Sequence, residues 1–244
     1  MCTLLFAMDP PTGPDLYVVS NRDEALDRRA MGPRIHGRRG MRILAPLDVE
    51  AGGTWLGLNE VGIFVGITNR FGSDSATDHK SRGHLVFDAL GCESVAEAAS
   101  TIGALSARDY SGFHLLITDG RSGRVVWNDG EAIRKIELAS GYYVMSERSF
   151  DAAPSPRLHR ISDRIIDLGT WSEEHRRRFR QWMVEHDDSD PLEGTCIHAE
   201  EANYGTRSST VVELGSSPQF LHAEGPPCRT AFRDHLDRLA SHRK

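Results

Sequence analysis

Residues 51–70 read AGGTWLGLNEVGIFVGITNR and hold two short apolar runs, 54–58 and 63–68, separated by Asn59-Glu60-Val61-Gly62. So short a connection cannot carry a crossover helix, and the two predicted strands therefore pair antiparallel as a hairpin. The chain opens the same way. Residues 2–8 (CTLLFAM) and 16–20 (LYVVS) flank a Pro/Gly turn at 10–14 and predict a second hairpin.

Outward from these hairpins the period changes. Over 83–106, Leu85, Val86, Ala89 and Leu90 share one helical stripe and Val95, Ala99, Ile102 and Leu105 another, with a break near Gly91. Strands are predicted at 113–118, 124–128, 132–138 and 142–146. Helices follow near 155–168 and 172–187, the second starting at Ser172 with two glutamates in its first turn. Strands return at 194–198, 208–214 and 219–223, and a short polar helix closes the chain. The basic, Gly-rich stretch DRRAMGPRIHGRRGMRI (27–43) reads as a solvated loop. No repeat or linker interrupts this order. It predicts one α+β domain over 1–244, mostly antiparallel sheets covered by helices.

Composition narrows the function classes. The 244 residues are 39% hydrophobic and 26% charged, as in ordinary globular proteins. A formal charge of -6 argues against a general nucleic-acid binder. No apolar run approaches membrane-spanning length, so no integral membrane segment is expected. Asp9-Pro10-Pro11 follows the first apolar run almost at once, which is unlike a signal peptide. Cys2, Cys92, Cys196 and Cys228 form no CxxC pair, and a reduced, cytoplasmic protein is expected. Cys196 and His198 alternate on one strand but are two ligands short of a metal site, so neither metal nor cofactor is expected.

The chemistry centres on Cys2. Removal of Met1 would leave a thiol and a free α-amine on one residue. With a pKa of roughly 7.7–8, that amine can accept the thiol proton near neutrality. A cation, a carboxylate and an oxyanion donor should complete such a site. Arg22, Asp23, Asn69 and Arg207 stand at predicted strand ends, where a sheet can aim them, although Arg22 with Asp23 also fits a structural ion pair. Trp55 fits either the core or the lining of a pocket.

MCTLLFA, SNRDE, AGGTWLGLNEVGIFVGITNR, SRGHLVFDAL and ANYGTRSSTVV, in this order, resemble the NRDE family, also called the transport and Golgi organisation family. The resemblance runs from residue 2 to about 212. That family is similar to the N-terminal-nucleophile (Ntn) hydrolases of the choloylglycine hydrolase and penicillin V acylase branch. The implied fold is a four-layer αββα sandwich. The implied catalytic set is Cys2, Arg22, Asp23, Asn69 (oxyanion) and Arg207. Trp55, Glu147 and Asn21 are expected to bind substrate. Two departures stand out. Arg22 and Asp23 are adjacent where that branch spaces its pair three apart, so Asp23 or Glu24 could serve. Glu147 occupies a position where an amide is usual, and an anion disfavours a developing oxyanion. The resemblance implies an amide hydrolase or acyltransferase acting on a small-molecule acyl or amide substrate. The alternative is a carrier of a lipid, acyl-coenzyme A or haem-type ligand. Oligomeric state is left open.

Overall fold

The computed structural model describes residues 2–72, 79–150, 153 and 155–240. The chain begins β1 (Cys2–Met8), β2 (Leu16–Ala25), β3 (Ala30–Arg38), β4 (Met41–Asp48), β5 (Leu56–Asn59) and β6 (Phe64–Asn69). Helices α1 (Gly83–Leu90) and α2 (Val95–Gly103) follow, then β7 (Phe113–Thr118), β8 (Gly123–Asn128), β9 (Ile133–Leu138) and β10 (Gly141–Met145). Next come α3 (Pro156–Ile166), α4 (Glu173–Trp182), β11 (His198–Ala199), β12 (Tyr204–Leu214), β13 (Gln219–Ala223), β14 (Arg233–Asp234) and α5 (Asp237–Ala240). The fold class is α+β, as the element order predicts. Two compact units share the chain, a finer division than the one domain read from the sequence.

The first unit comprises residues 1–28 and 140–234. Its sheet has the order β10-β1-β2-β12-β13-β14, with β11 beside β12, and every pairing is antiparallel. Alternation along the central strands sends Leu5, Ala7, Tyr17, Val19 and Val211 to one face. There they pack with Ile161 of α3, Phe179 of α4 and Trp171 and Met183 beside it. Ser155 caps α3 by accepting the Leu158 N–H, and Pro156 takes the first turn, where a missing donor costs nothing. At α4, Ser172 is the cap and its N–H donates to His175 Nδ1.

The second unit, residues 29–139 and 235–244, holds an antiparallel meander in strict chain order from β3 to β9. Leu85, Val86, Ala89 and Leu90 of α1 and Val95, Ala98, Ala99 and Ile102 of α2 are buried. Ser94 caps α2 by accepting the Glu97 N–H. Gly53 and Gly83 touch backbone to backbone. A Cβ on Gly53 would lie 2.6 Å from Gly83 Cα, so both glycines set how α1 meets the strand entry.

Two expectations need correction. The basic stretch 27–43 is not a loop, because it supplies β3 and the start of β4, turned at Arg39 (φ 52°) and Gly40 (φ 82°). β3 is an edge strand, and arginines along an exposed edge oppose unwanted pairing, which is why it looked like solvated loop. β2 also runs five residues past Ser20, because β12 pairs with it as far as Ala25. The Asn-Arg-Asp-Glu run therefore lies inside a strand.

Candidate active site

Strand pairing builds the site. Cys2, the first residue of β1, is opposite Arg22, which is opposite Ser208 on β12. Directly opposed residues share a sheet face, so thiol, guanidinium and hydroxyl lie in one row. Ser20 and Thr210 form the next row on that face, away from the one that packs on α3 and α4. Cys2 is 8% exposed and Arg22 is 4% exposed. Ser20 Oγ and Ser208 Oγ are buried without a protein hydrogen-bond partner. Glu24, two residues on from Arg22 and on its face, lies 3.6 Å from the guanidinium.

Asp23, by the same alternation, faces the other way. It is fully buried, with Oδ1 accepting from Thr206 Oγ1 (2.6 Å) and Oδ2 3.8 Å from Arg157 Nη1. Tyr204 donates its hydroxyl to the Asp23 carbonyl at 2.8 Å. Arg157 also donates to both oxygens of Glu147, at 2.8 and 3.0 Å, and to the Gly194 carbonyl at 3.3 Å. One buried guanidinium thus serves two buried carboxylates. Both bonds to Glu147 come from Arg157 Nη2, and Arg148 Nε lies 3.7 Å from Glu147 Oε1, so the carboxylate is compensated by charge-assisted contacts. Desolvation raises the Asp23 pKa, and the Arg157 charge and Thr206 hydrogen bond offset that only in part. Burial pushes the Cys2 thiol up to about 11, with Asp23 and Glu24 adding to the rise and Arg22 opposing it.

The remaining expected residues fall elsewhere. Arg207 is the extra residue at a register shift between Thr206 and Ser208. Its guanidinium donates to the Leu26 and Arg28 carbonyls, so it braces a loop. Asn21 donates both its amide hydrogens to the Met183 and Thr195 carbonyls, at 2.8 and 2.7 Å, on the face opposite Arg22. Asn69 ends β6 in the second unit and is exposed. Trp55 is buried in the same unit. Sequence reasoning gave no role to Thr206 or Tyr204, although both lie in the ANYGTRSS segment that carried the resemblance. A cleft of about 250 Å³ opens next to them, lined by Leu26, His198, Tyr204, Thr206, Arg207 and Arg229 among others.

Residues 1–224 match the profile of the family described as transport and Golgi organisation 2. The chain belongs to that family. A relative from Bos taurus, the transport and Golgi organization protein 2 homolog, is 32% identical over 160 residues, covering 60% of this chain. The chain spans 56% of that relative's length. Among solved structures, the Caenorhabditis elegans ortholog of N-acylethanolamine-hydrolyzing acid amidase aligns with a TM-score of 0.61 at 14% identity, over 86% of this chain and 92% of that one. Penicillin V acylase from Agrobacterium tumefaciens aligns with a TM-score of 0.53 at 14% identity, over 97% and 87%. The family member described here thus has the α+β fold of the Ntn hydrolases.

Proposed function

We propose that the chain is an Ntn-type amide hydrolase or acyltransferase that acts through Cys2 once Met1 is removed. The observation that carries this reading is the row Cys2–Arg22–Ser208 at the head of β1, where Ser208 and, in the next row, Ser20 are buried hydroxyls with unused hydrogen-bonding capacity. In the processed chain the α-amine of Cys2 takes the thiol proton, and Arg22 stabilises the resulting thiolate. The thiolate attacks an amide carbonyl and forms a tetrahedral intermediate. The protonated amine then gives its proton to the departing nitrogen, leaving a thioester on Cys2. The amine next deprotonates water, which attacks the thioester and releases the carboxylic acid and the thiol. An amine in place of that water gives acyl transfer. An amide substrate is supported by the amidase and acylase named among the structural neighbours.

One observation favours a second reading, a non-catalytic carrier of an acyl or lipid ligand. A thiol with a pKa of about 11 is roughly 10⁻⁴ ionised at neutral pH. Only a nearby base relieves that. Intact mass separates the two readings. Protein from its native host should begin at Cys2, and incubation with reactive acyl donors and simple amides should add one acyl mass that Cys2→Ala abolishes. A chain that keeps Met1 and takes up no acyl group would leave the carrier reading in possession.

A further inference from the structure

Four residues that no part of the proposed Cys2 chemistry uses converge at one edge of the first unit. His186 follows α4, Cys196 and His198 lie on the approach to and in β11, and Cys228 sits in the connection after β13. One candidate ligand atom from each lies within 4.8 Å of all the others. We propose that His186, Cys196, His198 and Cys228 bind one zinc-class divalent ion in a closed, tetrahedral site of two nitrogens and two sulfurs.

The distances support this. Bonds of about 2.3 Å to sulfur and 2.0–2.1 Å to nitrogen put a tetrahedral S···N edge at about 3.6 Å. His198 Nε2 lies 3.7 Å from Cys196 Sγ and 3.3 Å from Cys228 Sγ. The His186 ring stacks on the His198 ring with centroids 4.7 Å apart. Glu200 Oε1 lies 3.4 Å from His198 Nδ1, which leaves Nε2 for the ion. A carboxylate on the second nitrogen is the usual way a ligating histidine is oriented. Sulfur with imidazole favours zinc over magnesium or calcium.

The backbone holds these ligands in advance. The Glu185 carbonyl accepts from both Thr195 and Cys196 N–H, tying the His186 segment to the Cys196 segment. Ile197 N–H donates to Thr206 Oγ1 at 2.8 Å, the same hydroxyl that donates to Asp23. The protein fills all four positions, so the ion is structural. It pins the connection after β13 to β11 and steadies Thr206 beneath Asp23.

The test uses the full-length chain, purified reduced and titrated with Co²⁺ and Zn²⁺. One equivalent of Co²⁺ should give the intense visible bands of tetrahedral cobalt with sulfur-to-metal charge transfer, and Zn²⁺ should displace it. Cys228→Ser and His186→Ala, both at exposed positions, should lose that equivalent while far-ultraviolet circular dichroism is unchanged. Glu200→Gln should keep the stoichiometry and weaken binding by about 10–100-fold. Cys92→Ser should bind like wild type. Zinc should raise the Tm of wild type and leave that of Cys228→Ser unmoved. The site does not exist if cobalt stays octahedral, if Cys228→Ser binds as well as wild type, or if Cys196 and Cys228 are found as a disulfide in freshly isolated protein.

Discussion

Three asparagines on different strands do the same work. Asn21, Asn59 and Asn128 are buried, and each donates its two amide hydrogens to two carbonyls of a neighbouring helix end or loop: Met183 and Thr195, Leu90 and Cys92, and Ala107 and Tyr110. Truncating Asn21 strands two buried carbonyls, so Asn21→Ala should cost about 2–4 kcal/mol by denaturant unfolding. A loss under about 1 kcal/mol would mean that the loop after α4 rearranges freely. Arg157 carries more. Removing it takes away the buried cation that Asp23 and Glu147 share and leaves Glu147 the more distant Arg148, so Arg157→Met should cost about 3–5 kcal/mol. Adding Glu147→Gln should recover part of that loss, and if the two changes simply add, the pair is not coupled. Asp23 sets a pH dependence whose sign follows from its raised pKa. The native state binds this proton more tightly than the unfolded chain, whose value is near 3.8. Its stabilising contribution is therefore complete below that pH and is lost as pH rises through the native pKa. Wild type should thus lose stability relative to Asp23→Asn as pH rises above the ordinary aspartate value of 3.8. Parallel curves would show that Arg157 and Thr206 compensate the carboxylate fully.

At the scale of elements, legibility followed local apolar pattern. Continuous apolar runs such as β6 and β7, buried along nearly their whole length, declare themselves, and so do α1 and α2, whose stripes are buried except at Leu105, which lies past the end of α2 and is half-buried. β3 did not, because an edge strand shows little buried surface and Arg39-Gly40 replaces the usual Asn-Gly at its turn. β2 was legible only to Ser20. Its polar continuation is buried because β12 and α3 supply partners from far along the chain, and no local window contains them. The same limit governs the site. Cys2, Arg22 and Asp23 stand out in the sequence as reactive residue types, but adjacency in an extended strand puts Arg22 and Asp23 on opposite faces. Only the paired strands show that Glu24, not Asp23, shares a face with Arg22, and that Arg157 joins Asp23 to Glu147. Likewise Cys196 and His198 were legible as a pair, whereas His186 and Cys228 reach them through a helix end and a loop after β13.

Over the whole molecule, the two units are closed by chain segments of very different span. The second unit's sheet is a meander in which each strand pairs with the next, apart from helices α1 and α2 between β6 and β7. The first unit's sheet is discontinuous: β2 pairs with β12, Val19 opposite Val211, across a stretch of chain that includes residues 29–139 of the second unit. Closing a loop of roughly 190 residues rather than 10 costs about 2–3 kcal/mol more in chain entropy, and no non-local contact repays it until the strands meet. Non-local pairing of this kind slows folding. Pulsed hydrogen exchange during refolding should therefore protect the β4–β8 amides before those of β2 and β12. Cys2 should remain reactive toward a thiol reagent in unfolded-like fashion until β2 and β12 lock, because its burial depends on that sheet. If β2 and β12 are protected together with, or ahead of, the meander, then residual structure already holds the distant strands close in the unfolded chain, and loop closure does not set the order.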